Sequence, residues 1–166
     1  MIPPLQPLDA LHVQAAEGWL GLGNWQEANA ELEQLAPQLL VHPHILKVRW
    51  GIYAAAKKWE AALFIAAALV KMDPDDPIGW IHQSYCLHEL GLTADAHRHL
   101  MDVVDKFPTN ATIRYDLACY ECRLSRFRQA KQWLEKAFEI GDTRKIKLAA
   151  LNDPGLEPLW KEIRSL

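Results

Sequence analysis

The sequence predicts an all-α fold of four two-helix repeats followed by a helical cap, and three observations predict it. Ala28, Ala62, Ala96 and Ala130 stand 34, 34 and 34 residues apart, about the length of one helix–turn–helix repeat. Each alanine keeps the same company: Trp25, Trp59, Thr93 and Phe127 three residues before it, and Leu32, Ala66, Leu100 and Leu134 four residues after it. Only a small side chain fits where two antiparallel helices cross closely, and bulky neighbours fill the flanking space. Finally, the punctuation recurs in step. Gly23 and Gly91 mark the same point of the first and third repeats, and Pro74 and Pro108 close the second and third.

Residues 1–8 read as an extended N-terminal segment, and the repeats fill residues 9–142. The first repeat covers 9–42. Its second helix begins at Asn24, which forms a capping-box pattern with Glu27, and it carries Pro37 inside the expected helix and Leu40 where a closing proline would stand. The second covers 43–76 and holds the longest apolar run, Ala61 to Val70, too short for a bilayer that needs about 20 residues. In the third, 77–110, Asp76 is the N-cap and Pro77 the first helical residue, Gly91 ends the helix, and a second helix is expected from Thr93 through Val103 and Phe107 to Pro108. The fourth covers 111–142 and ends without a proline. Residues 143–166 read as capping helices: Asp153 caps, Pro154 begins a helix, and Leu156, Leu159, Trp160 and Ile163 face Ile146, Ala149 and Ala150. A cap is needed because the last repeat would otherwise turn an apolar face to water.

Composition narrows the function classes. With 166 residues, half of them apolar and 23% charged, the chain can bury a core and does not read as disordered. The net charge of −3 conceals an asymmetry, 7 Lys/Arg against 13 Asp/Glu over residues 1–110 and 11 against 8 over the remainder. The basic cluster Arg123, Arg126, Arg128 and Lys131 is too short for a nucleic-acid stripe and reads as a solvated helix face. No positive n-region with an apolar h-region opens the sequence, and three cysteines do not make a disulfide framework, so a cytoplasmic protein is expected, with no membrane and no nucleic-acid partner.

The 34-residue period, the alanine column, Trp25-Ala28-Leu32 with the looser Trp59-Ala62-Ala66, and the closing Pro74 and Pro108 resemble the tetratricopeptide repeat (TPR) family. What the resemblance implies is a right-handed α-solenoid whose concave groove, lined by the first helix of each repeat, holds a peptide or helix of a partner protein. Carried onto this chain, the groove positions are Lys47, Ile78, Ile81 and Tyr85, then His88, Tyr115, Cys119 and Cys122. The carboxylate clamp of some TPR domains is not expected, because Val13, Glu17, Ile81 and Tyr85 occupy clamp positions and only Lys47 is basic. Apolar and aromatic anchors suit an extended or helical ligand better. The expected function is a non-catalytic scaffold or adaptor. The alternative is a dedicated small chaperone shielding an apolar segment of one client, as the TPR chaperones of bacterial secretion systems do. Whether copies also pair into a homodimer is left open by the sequence.

The pair Cys119 and Cys122 raises metal or redox chemistry. A redox CxxC works from a helix N-terminus, where the dipole lowers the thiol pKa, whereas this pair falls mid-helix. A zinc site needs four ligands, and only His88 is a candidate third. The pairs His42/His44 and His97/His99 are two apart and point to different sides of a helix. No phosphate loop, nucleophile elbow or HExxH occurs. No catalytic residue, metal or cofactor is expected.

Overall fold

The computed structural model describes residues 4–165. Residues 1–3 of the expected N-terminal segment lie outside the described residues. The helices are α1 (Pro7–Gly21), α2 (Trp25–Glu33), α3 (Pro43–Ala55), α4 (Trp59–Met72), α5 (Pro77–Glu89), α6 (Thr93–Met101), α7 (Ala111–Arg123), α8 (Phe127–Ile140), α9 (Thr143–Asn152) and α10 (Trp160–Ser165), with 3-10 turns at Pro37–Leu39 and Pro154–Leu159. No strand occurs among the described residues. The first helix begins at Pro7, so the segment expected to be extended through residue 8 is already helical at Pro7 and Leu8, and Asp9 Oδ2 accepts from Gln6 N at 3.1 Å.

Each repeat turns at a residue with positive φ, and these residues keep the 34-residue period. Gly23 and Gly91 have φ of 77° and 81°, while Lys57 and Ser125 reach 55° and 61° at the equivalent points. Glycine takes this left-handed region without steric penalty; a residue with a Cβ is strained there. Caps fix the starts. Asn24 Oδ1 accepts from Glu27 N at 3.2 Å, and Asp76 Oδ1 accepts from Ile78 N at 2.9 Å.

The chain divides into two compact units, Met1–Cys86 and Leu87–Leu166. In the N-terminal unit, Val13 and Ala16 of α1, Ala28 and Leu32 of α2, and Ile45, Val48 and Ile52 of α3 form one core. Beside it, Leu46, Ile65 and Leu69 pack with Trp50 and Tyr53. In the C-terminal unit, Ala118 and Cys122 of α7 and Ala130 and Leu134 of α8 meet Ala150, Leu156, Leu159 and Ile163 of the cap. All four alanines of the column are fully buried. The apolar run in α4 buries Ala62, Ile65, Ala66 and Leu69 and leaves Phe64 exposed. No helix among the described residues is long and apolar enough to cross a membrane.

Two second helices stop earlier than their sequence suggests. α2 ends at Glu33 because Pro37 lacks an N–H and holds Ala36 extended, at ψ 139°. α6 ends at Met101, not at Pro108, and the chain continues in turns through Thr109. One side chain reaches back to the carbonyls of that segment. Arg114, buried in α7, donates from Nη1 to Phe107 O at 2.8 Å and Asn110 O at 3.0 Å, and from Nη2 to Val104 O at 3.4 Å. Where α5 meets α4, Gly79 allows a close approach: a Cβ there would lie 2.8 Å from Val70 N.

Candidate functional site

In the N-terminal unit the residues singled out from the sequence sit on α3 and α5. Lys47 Nζ donates to Asp76 Oδ2 at 2.7 Å. Burial works to raise the Asp76 carboxyl, but the hydrogen bonds from Lys47 and from the Ile78 N–H, with the Lys47 charge, hold it below its usual range. The pair stands at a hollow of about 350 Å3 lined by Pro43, Lys47, Leu69, Met72, Asp76 and Gly79. Trp50 on α3 stacks on His82 of α5 with centroids 3.5 Å apart and rings 6° from parallel. Burial first, then the Lys47 charge, brings His82 down to about 4, so the ring is neutral at pH 7. Tyr85 stands edge-on to Trp50 and to Trp59, 6.2 and 5.7 Å away, and remains 39% exposed. Ile78 is exposed and Ile81 half-buried. The edge contacts hold the Tyr85 ring in place with part of it exposed.

In the C-terminal unit, His88 is half-buried, bonded through Nδ1 to Thr93 Oγ1 at 2.9 Å and tilted against Tyr120. Burial holds its pKa below the ordinary value. On α7 one carboxylate gathers the other residues. Asp153 Oδ2 accepts from Tyr115 Oη at 3.1 Å and from Cys119 Sγ at 3.5 Å, while Oδ1 accepts from Gly155 N at 2.7 Å. The expectation from sequence was a cap residue only; its second oxygen ties α7 to the cap. Tyr115 forms one wall of a hollow of about 230 Å3 with Ala111 and Thr112 of α7 and Lys145, Ile146 and Ala149 of α9. The lining is almost wholly apolar.

Cys119 and Cys122 are free thiols. Burial, then the negative charge of Asp153, pushes Cys119 well up, and burial pushes Cys122 up as well. A thiol that stays protonated is neither a nucleophile nor a ready metal ligand. No group of three or more His, Cys, Asp and Glu suited to a metal ion occurs among the described residues. Cys122 itself is 4% exposed and packs in the C-terminal core, so it offers no surface to a ligand. Its position follows from the helix period, which turns residue 122 toward Ala118, Ala130 and Leu134 while Cys119 points at Asp153.

The neighbouring Asp116 has its carboxyl pushed up to about 7, first by burial and then by the Asp153 charge. As pH rises from about 4 to about 7 the unfolded chain ionises before the folded one, so the stability this group contributes in acid is lost across that window. Asp116→Asn is expected to melt higher than the parent at pH 7.5 and close to it at pH 4.5, a comparison two thermal scans make.

No protein-family model matches the sequence, and no curated protein sequence matches it either. Solved structures do. TTC0263, described as a thermophilic TPR protein in Thermus thermophilus, aligns at a TM-score of 0.75 over 93% of this chain and 82% of its own. The chain has a tetratricopeptide-repeat fold. Sequence identity in that pair is 18%, so the likeness concerns the TPR fold alone. MamA from Desulfovibrio magneticus RS-1, residue 41 to its end, aligns with this chain at a TM-score of 0.69 and 15% identity, over 98% of this chain and 97% of that one. The sequence reading missed the Trp50–His82 stack and the hollow beside α9. Neither has a local signal, because the partners are 32 residues apart in the first case and lie on separate helices in the second.

Proposed function

We propose that the chain is a non-catalytic scaffold or adaptor of the cytoplasm that holds a peptide or helical segment of another protein. The observation that carries this reading is the apolar hollow of Ala111, Tyr115, Ile146 and Ala149. One wall is held rigid by the bond from Tyr115 to Asp153, and a preformed, apolar, open hollow suits the anchor side chain of a bound segment. In the N-terminal unit, Tyr85, Ile78 and Ile81 supply anchors of the same kind, with Lys47 beside them as the polar rim. His88 and Cys119 belong to the proposed contact surface of the C-terminal unit; Cys122 does not.

Panning a displayed peptide library against the chain yields ligands whose affinity is then measured on variants. Ala149 is exposed, so Ala149→Trp fills the hollow without touching the core. It is expected to weaken a selected peptide at least about tenfold, or about 1.4 kcal/mol. Tyr85→Ala should weaken ligands that use the N-terminal unit. Equal binding by parent and both variants would remove these surfaces from the function. A client that stays soluble only when co-expressed with the chain would move the reading to a dedicated chaperone.

A further inference from the structure

We propose that the chain forms a two-fold dimer in which α1 packs antiparallel against α1 of a second copy. The reason lies in a helix that is apolar on two opposite sides. Val13 and Ala16 face the core of the N-terminal unit. On the opposite side Leu8, Leu11, Ala15, Gly18 and, at the C-cap, Leu22 follow one another at intervals of three, four, three and four. Of these, Leu8, Leu11 and Leu22 are 66%, 61% and 78% exposed. A helix side turned to water is ordinarily polar, and alternating steps of three and four make the seam along which helices pair.

No charge interrupts that seam. The ionisable residues of α1 are engaged elsewhere within the unit: Asp9 with Gln6 N at 3.1 Å, His12 with Glu31 at 2.8 Å, and Glu17 with His44 at 2.8 Å.

Two features select a second copy as the occupant. First, Ala15, Gly18, Trp19 and Leu22 enclose a hollow of about 320 Å3. These are positions i, i+3, i+4 and i+7, the four that form a hole for a knob of a facing helix. Gly18 keeps it open, since a Cβ added there would meet nothing within 4 Å. Second, the sizes along the face read alike from either end: Leu8 and Leu22 outermost, Leu11 and Trp19 next, Ala15 in the centre. Antiparallel pairing about Ala15 sets Leu8 opposite Leu22, lets the small alanines approach each other, and delivers Leu11 of the second copy into the hole. Every contact then occurs twice, as an isologous interface requires, and the helix dipoles oppose each other favourably.

The four large side chains present roughly 400 Å2 per copy, the size of a functional patch on a monomer and about half of a standard interface side. The dimer is therefore weak, as interfaces at the low end of the size range are. None of the residues of this face is among the anchors assigned to a partner protein, so this proposal does not depend on that one.

Sedimentation velocity of the whole chain, from about 1 to about 500 μM, tests it. A reversible monomer–dimer equilibrium is expected that stops at two. Gly18→Leu fills the hole with a stronger helix former; it should melt no lower than the parent and dimerise at least about tenfold more weakly. Leu11→Glu, which charges the knob, should do the same, and Ala15→Cys, at the two-fold, should yield an intermolecular disulfide on mild oxidation. A chain that remains monomeric throughout, as it would if the face served a different protein, overturns the proposal. So does a dimer that survives both Gly18→Leu and Leu11→Glu, or an assembly that grows past two.

Discussion

Ending the chain at Asp142 is expected to abolish folding of the C-terminal unit, seen as lost helical circular dichroism and as aggregation in size-exclusion chromatography. The removed segment supplies Ala150, Leu156, Leu159 and Ile163, none more than 5% exposed, to the core that holds Ala118, Cys122, Ala130 and Leu134. Burying the three large side chains contributes about 1.5–3 kcal/mol each, a sum comparable to the roughly 5–15 kcal/mol by which whole domains are stable. The loss also breaks polar ties, since Tyr115 and Cys119 lose their acceptor Asp153. A truncated chain with undiminished helicity per residue and an unchanged melting temperature would show that α7 and α8 need no cap.

Arg114→Ala is expected to lower stability by about 3 kcal/mol, read as a shifted denaturant midpoint at constant slope. The guanidinium donates to three carbonyls between α6 and α7, of which Phe107 O also accepts from Asn110 N at 3.2 Å. Removing it takes a charged donor from Val104 O and Asn110 O and deletes the packing of its stem, both routes to large losses. Arg114→Lys should recover less than half, because a single ammonium cannot reproduce the planar fork that spans Phe107, Asn110 and Val104. An unchanged midpoint in the alanine variant would mean that water satisfies those carbonyls equally well.

Much of the fold was legible because it repeats. A position that recurs four times at one interval carries its own control, and Ala28, Ala62, Ala96 and Ala130 are all fully buried as their spacing implied. The caps at Asn24, Asp76 and Asp153 were legible for a local reason, since each bonds a backbone N–H within three residues. What stayed hidden depends on pairing across distance. Glu121 stands where Trp19, Tyr53 and Leu87 stand in the first three repeats, yet it is buried, because His97 meets one carboxylate oxygen at 2.7 Å and Arg126 the other at 3.4 Å. Nothing near Glu121 in the sequence announces His97. For the candidate site, Tyr115 and Tyr85 could be placed on first helices from the period alone. The inward turn of Cys122 and the common acceptor of Tyr115 and Cys119 required knowing how far the helix rotates and where residue 153 returns.

The left-handed turns alternate, and the alternation bears on where steric cost falls along the chain. Gly23 and Gly91 turn the first and third helical hairpins, whereas Lys57 and Ser125 turn the second and fourth. A glycine hairpin forms with no steric debt. A hairpin turning at lysine or serine holds a residue in a conformation costing about 1–2 kcal/mol, which the packing of its helices offsets. The steric cost of turning is thus absent from the first and third hairpins and present in the second and fourth, an alternation with a period of two repeats.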